Sequence, residues 1–149
     1  MEFRAATLGD LPAIVRLLVD DDLGRGRERY DDPLPQEYLR AFVRMAEQTD
    51  NQMIVAIDDG TIVGCLQLTL IPGLSRRGTT RAQIEAVRVA RARRGAGIGE
   101  ALVRHAIGVA RDRGCGLVQL TSDRSRRDAH RFYERLGFVA SHVGLKLAL

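Results

Sequence analysis

The chain has 149 residues and a mass of 16.5 kDa, enough for one domain built around a sheet of several strands and too little for two. At 45% hydrophobic and 28% charged residues its composition is that of a folded globular protein, which excludes wholesale disorder, and no apolar run approaches the roughly 20 residues of a membrane helix. The net charge is +4, and 22 of the 23 basic residues are arginine, a bias that suits planar, bidentate anion contacts and equally fits a bias in genome composition.

Residues Glu2 to Ala6 alternate as a short strand where a signal peptide would need a long apolar stretch, so a cytoplasmic protein is expected. Thr7-Leu8-Gly9-Asp10 resembles a helix cap, and Leu11, Ile14, Val15 and Leu18 mark the apolar face of a first helix. Asp20 to Pro33 breaks every periodicity with glycines, a proline and mixed charges, and is expected as a long loop. A second helix from about Pro35, ending before Asn51, would bury Tyr38, Ala41, Phe42 and Met45. Met53 to Ile57 and Thr61 to Ile71, joined by Asp58-Asp59-Gly60, read as a β-hairpin. After a loop over Pro72 to Gly78, Gln83 to Val89 is expected as a central strand. About Gly97 to Asp112 then forms a long helix with Ile98, Leu102, His105, Ala106 and Val109 inward.

Strand Leu117 to Thr121 follows, then a helix from about Ser125 to Leu136 with Ala129, Phe132, Tyr133 and Leu136 on one face, and a closing strand from Phe138 to Leu147. The order β-α-α-β-β-β-α-β-α-β, without internal repeat or linker, gives an α/β fold: one continuous mixed sheet flanked by helices. Cys65 and Cys115 lack CxxC spacing and sit in apolar surroundings, as core residues do. His105, His130 and His142 share no ligand spacing, so no metal is expected.

The segment Arg94-Gly95-Ala96-Gly97-Ile98-Gly99 carries a strand into a helix through three glycines. The first amides of a helix have no partner within it and attract phosphate, and glycine leaves room for a pyrophosphate against the main chain. Arg93 or Arg94 could add charge-assisted hydrogen bonds. The spacing departs from a dinucleotide-binding GxGxxG, since Glu100 stands where glycine is needed, and no lysine occupies a P-loop position.

The same segment fits the R/Q-x-x-G-x-G/A signature of the GCN5-related N-acetyltransferase (GNAT) superfamily. Independently, Ala129-His130-Arg131-Phe132-Tyr133-Glu134-Arg135-Leu136-Gly137-Phe138 resembles that superfamily's late A-x-x-F/L-Y-x-x-x-G-F segment. The resemblance implies a largely antiparallel sheet with one splayed pair of parallel strands, acetyl-CoA held in the notch between them, and transfer of the acetyl group to a primary amine by direct attack. It implies cofactor contacts from Val87, Arg88 and Val89 on the strand and from Arg94, Gly95, Ala96, Gly97, Ile98 and Gly99 in the loop. Many members carry asparagine three residues before the Ala129 equivalent as a cofactor contact; this chain has Arg126 there.

The resemblance also implies that an amide of the strand, that of Val87, polarises the thioester carbonyl where negative charge grows. Tyr133 matches the tyrosine that in many members protonates the departing thiolate. Glu85, two residues before Val87 and on the same face by strand alternation, is the candidate base, acting through water, with an ion pair to Arg88 as the structural alternative. Tyr133 could equally belong only to the core stripe of its helix.

For the acceptor, a small-molecule or peptide amine, the loop from Asp20 to Asp32 offers opposite signs. Asp20, Asp21, Asp22, Asp31 and Asp32 would suit a cationic amine, whereas Arg25, Arg27, Arg29 and Tyr30 would suit an anionic group, with Arg29 and Tyr30 the candidate substrate contacts. The alternative from another class is a non-catalytic acyl-CoA sensor or regulatory module. Nucleic-acid binding has only the basic pI of about 9.7 in its favour. A homodimer is compatible with the apolar stretch from Val139 to Leu147 and is implied by the superfamily's habit of pairing through last or edge strands.

Overall fold

A computed structural model describes residues 1–149. Strands β1 (Glu2–Ala5), β2 (Asn51–Asp58), β3 (Thr61–Ile71), β4 (Arg81–Val89) and β5 (Leu117–Leu120) lie side by side in chain order. Neighbours run antiparallel except β4 and β5, which are parallel. The β2–β3 connection is the two-residue turn Asp59-Gly60, with φ of 48° and 73°, the left-handed backbone that matches the twist of a hairpin. The parallel pair needs a crossover, and the helix between β4 and β5 supplies it.

Helices α1 (Leu11–Val19) and α2 (Gln36–Ala46) precede the hairpin, α3 (Ile98–Asp112) is the crossover and α4 (Arg127–Arg135) follows β5. Strand alternation sends successive residues of β2 and β3 to opposite faces, which is why both read as unbroken apolar runs. On one face Ile54, Leu66, Leu68 and Ile84 pack with Ile98, Leu102, Val103, Ala106 and Ala110 of α3. On the other, Met53, Val55 and Cys65 pack with Ile14 and Leu17 of α1. The mixed α/β architecture expected from the sequence is therefore present.

Three expectations change in detail. The buried stripe of α3 includes Val103 and Ala110, while His105 is half-buried and stacks on Phe3 with ring centroids 5.0 Å apart. No residue of α2 is fully buried and Ala41 is exposed, so this helix leans on the domain rather than entering the core. The closing strand is not formed: residues 138–149 have no regular structure, and Val139, Val143, Leu145, Leu147 and Leu149 are exposed. Their alternation is that of a strand, but a strand without a ladder partner leaves its backbone groups unpaired and its apolar side chains in water.

Candidate active site

The parallel pairing runs only from Arg81 opposite Leu117 to Ile84 opposite Leu120. Strand β5 stops there while β4 continues to Val89, so the two part at Glu85 and leave one edge of β4 open. A bulge marks the same place. Glu85 pairs with Gln67 and Arg88 with Cys65, so Ala86 and Val87 together oppose Leu66, and Ala86 has φ of 51°.

An extra residue reverses the alternation beyond it. Val87 and Val89 consequently pack toward α3, whereas Glu85 and Arg88 share the face of Gln67 and Cys65. The expectation that Glu85 and Val87 lie on one face is thus corrected by the bulge. Glu85 is exposed, and Arg88 pairs with Asp21 in place of Glu85. The Val87 carbonyl accepts a hydrogen bond from Arg88 Nη1 at 2.9 Å and the Val89 carbonyl one from Arg94 Nε at 3.3 Å.

Beyond Val89 the chain makes a short turn over Arg91–Arg93 and enters the glycine loop. Gly95 and Gly97 have φ of 81° and 78°, and a Cβ on either would meet no atom within 4 Å. Glycine is required there by the backbone angle, and the outer side of the loop is open space. The first intrahelical bond of α3 is donated by the Ala101 amide to the Gly97 carbonyl, so the amides of Ile98, Gly99 and Glu100 precede it. The Ile98 side chain is buried beneath them. Gly99 sits where β4, α3 and α4 meet, since a Cβ there would lie 3.6 Å from Val89 and 3.7 Å from Phe132. Helix-end amides beside a loop whose outer side is open fit a pyrophosphate.

The arginines of this segment are used to fasten it. Arg93 pairs with Asp58, Arg91 with Asp20 and Asp22, and Arg94 donates to the Val89 and Asp20 carbonyls. Asp20 and Asp22 are held below the usual carboxylate range by their hydrogen bonds from Arg91. The acidic run from Asp20 to Asp22 is thereby committed to arginines and does not stand free for a cationic amine. Arg29 pairs with Asp31, and the Tyr30 hydroxyl accepts from Arg16 at 2.7 Å beneath the Arg16 guanidinium. Both candidate substrate contacts are engaged by the chain itself, Arg29 within the loop and Tyr30 by α1.

Tyr133 comes to the site on α4, packed edge-on against Phe132 and Phe138 at 5.0 and 5.8 Å. Burial pushes its phenol pKa upward, opposed by the positive charges of Arg126 and Arg88. Those two guanidinium groups converge on Asp21, each at 3.4 Å from one of its carboxylate oxygens. The Asp21 and Arg88 side chains are only 8% and 10% exposed, and Arg126 37%. Arg126 thus turns toward the acidic side chain on the first loop.

Gly24 lets the chain turn tightly against the end of α1 just after Asp21. A Cβ there would collide with the Leu18 carbonyl oxygen, and the Gly24 carbonyl accepts from the amides of Arg27 and Glu28. The sequence alone gave no sign of Asp21 as a buried group or of Ala86 as a bulge. The one available signal was a glycine, Gly24, two residues after the acidic run. Cys65 lies beneath the bulge with its thiol pKa pushed up to about 12 by burial, and is inert.

The Acetyltransferase (GNAT) family model matches residues 12–138. A glucosamine 6-phosphate N-acetyltransferase of Trypanosoma brucei brucei is 38% identical over 90 residues, 60% of this chain and 59% of that protein. An aminoalkylphosphonate N-acetyltransferase of Salmonella typhimurium is 35% identical over 95 residues, 64% of this chain and 61% of that protein. The matched stretch therefore spans about three fifths of each of these relatives. Among solved structures, a Bacillus halodurans C-125 protein described as a transcriptional regulator superposes with a TM-score of 0.97 at 53% identity over 99% of both chains. A Trypanosoma brucei acetyltransferase superposes with a TM-score of 0.81 at 31% identity, again over 99% of both. With a family match over most of its length, on a sheet whose parallel strands part beside a glycine-capped helix, the chain belongs to the GNAT acetyltransferase family.

Proposed function

We propose that the chain is an acetyl-CoA-dependent N-acetyltransferase acting on a small-molecule amine. The observation that carries this reading is the open edge of β4 running into Gly95, Gly97 and the unpaired amides of α3, with Tyr133 alongside. Acetyl-CoA supplies the activated thioester. The loop amides hold its pyrophosphate, and the strand edge carries the Val87 amide toward the carbonyl oxygen, where charge builds in the transition state.

The amine attacks as the free base. As the new C–N bond forms and the C–S bond breaks, the nitrogen loses one proton through water to Glu85, and the thiolate takes one from the Tyr133 hydroxyl, which solvent restores. A phenol is protonated at neutral pH, as a proton donor must be, and burial moves the Tyr133 pKa further in that direction. Exposure of Glu85 suits exchange with water. The names of the two curated relatives support an acceptor in which the amine accompanies a phosphate or phosphonate.

The description of the Bacillus halodurans relative favours one second reading, an acyl-CoA sensor that regulates a partner. Calorimetric titration with acetyl-CoA, with ATP and NADH as competitors, tests what both readings share; absence of CoA-selective binding removes both. Release of free thiol from acetyl-CoA in the presence of amines then separates them, because a sensor binds without turnover. We further propose that the molecule pairs with a second copy through residues 139–149, on the strength of their exposed alternating apolar side chains and the unpaired outer edge of β5.

A further inference from the structure

We infer that Arg88 and Arg126, held by the buried carboxylate of Asp21, form the subsite that reads the anionic group of the acceptor, a phosphate or phosphonate. The inference rests on the reading of the chain as an amine acetyltransferase and adds the residues that select the amine. Two guanidinium groups share the one buried carboxylate, and the only other carboxylate acting on Arg126 is the exposed Asp123, with which it forms no ion pair. Neither contact is a good one: both are 3.4 Å, longer than the 2.7–2.9 Å typical of charge-assisted hydrogen bonds. The Arg88 Nε and Asp21 Oδ2 atoms are buried with no hydrogen-bond partner.

A buried, unpaired guanidinium donor is costly and is kept only where something compensates it. Asp21 offers a reason. It holds both forks in place without saturating their donors, so an incoming tetrahedral oxyanion can take the free Nε–H of Arg88 and the outer N–H groups of Arg126. The half-exposed Arg126 provides the way in, and Arg27 lies close enough to act on the charge of Arg88. The position is also right, because Arg88 sits on the strand just past the bulge and both arginines act on the Tyr133 phenol. An amine tethered to the bound anion is then presented beside the proton donor.

The test is titration of CoA-saturated full-length chain with 2-aminoethylphosphonate and with n-propylamine, a similar amine lacking the anion. The phosphonate is expected to bind at least about tenfold tighter. Arg126→Gln, which leaves the buried Asp21–Arg88 pair in place, is expected to cut that preference to about threefold or less. Arg88→Gln should cut it likewise, and if that variant does not fold, Arg126→Gln decides alone. Equal affinity for the two amines, or a preference that survives the arginine substitutions, overturns the subsite. Inorganic phosphate is the third titrant, and phosphate binding more tightly than the aminophosphonate overturns the assignment to the acceptor in favour of a free anion. Thiol release measured alongside keeps the two readings apart. Turnover without preference removes the subsite alone, whereas preference without turnover removes the transferase and leaves an anion site.

Discussion

Asp10 accepts from Arg4 at 2.6 and 3.0 Å and from the Thr7 amide and hydroxyl at 2.7 and 2.9 Å. The hydrogen bonds from Arg4, against the cost of burial, hold its pKa well below the usual carboxylate range. A lowered pKa in the folded state means that the stabilisation is complete above the unfolded value near 3.9 and is lost as pH falls toward the folded one. Asp10→Asn is therefore expected to destabilise by about 1 kcal/mol at neutral pH, with the difference from the native chain shrinking below about pH 4, as urea melts across pH would report. Tyr133 makes the opposite kind of prediction, about rate rather than stability. Tyr133→Phe keeps the ring packing against Phe132 and Phe138, so CoA affinity should hold while turnover falls about a hundredfold. Unchanged turnover would remove Tyr133 as the acid.

At the scale of elements, the glycine at the start of α3 and the glycine in its interior respond differently to the same substitution. Gly97 has φ of 78° at the start of α3, where alanine is strained, whereas Gly108 lies within α3 and a Cβ there meets nothing. Gly97→Ala is expected to cost about 1 to 2 kcal/mol and to weaken CoA binding about tenfold, while Gly108→Ala should stabilise by up to about 1 kcal/mol. Thermal melts and calorimetry check both. The junction was legible in the sequence because glycine spacing and helical periodicity are local signals, and the hairpin was legible for the same reason. The bulge was not, since Ala86 is a residue that ordinarily avoids positive φ and so gives no sign of adopting it. Nor was the buried Asp21, whose setting depends on two arginines 67 and 105 positions away in the chain. Reading Asp20, Asp21 and Asp22 as one acidic run missed that only the middle one turns inward.

For the whole molecule, the unpaired segment after Phe138 is the feature with the widest reach. Val143, Leu145, Leu147 and Leu149 hold the spacing of one strand face, yet all four are in water. If a second copy covers them, stability becomes a property of the solution as well as of the sequence: mass action raises the melting temperature as protein concentration rises. Light scattering is expected to give a dimer at micromolar concentrations, and a chain ending at Phe138 a monomer whose melting temperature ignores dilution. A monomeric intact chain would remove the pairing. In the paired state the sheet has fewer free edges, so dilution does more than separate subunits. It bares an edge and an oily ribbon together, and a dilute, freshly synthesised chain has to find its twin before it meets something less suitable.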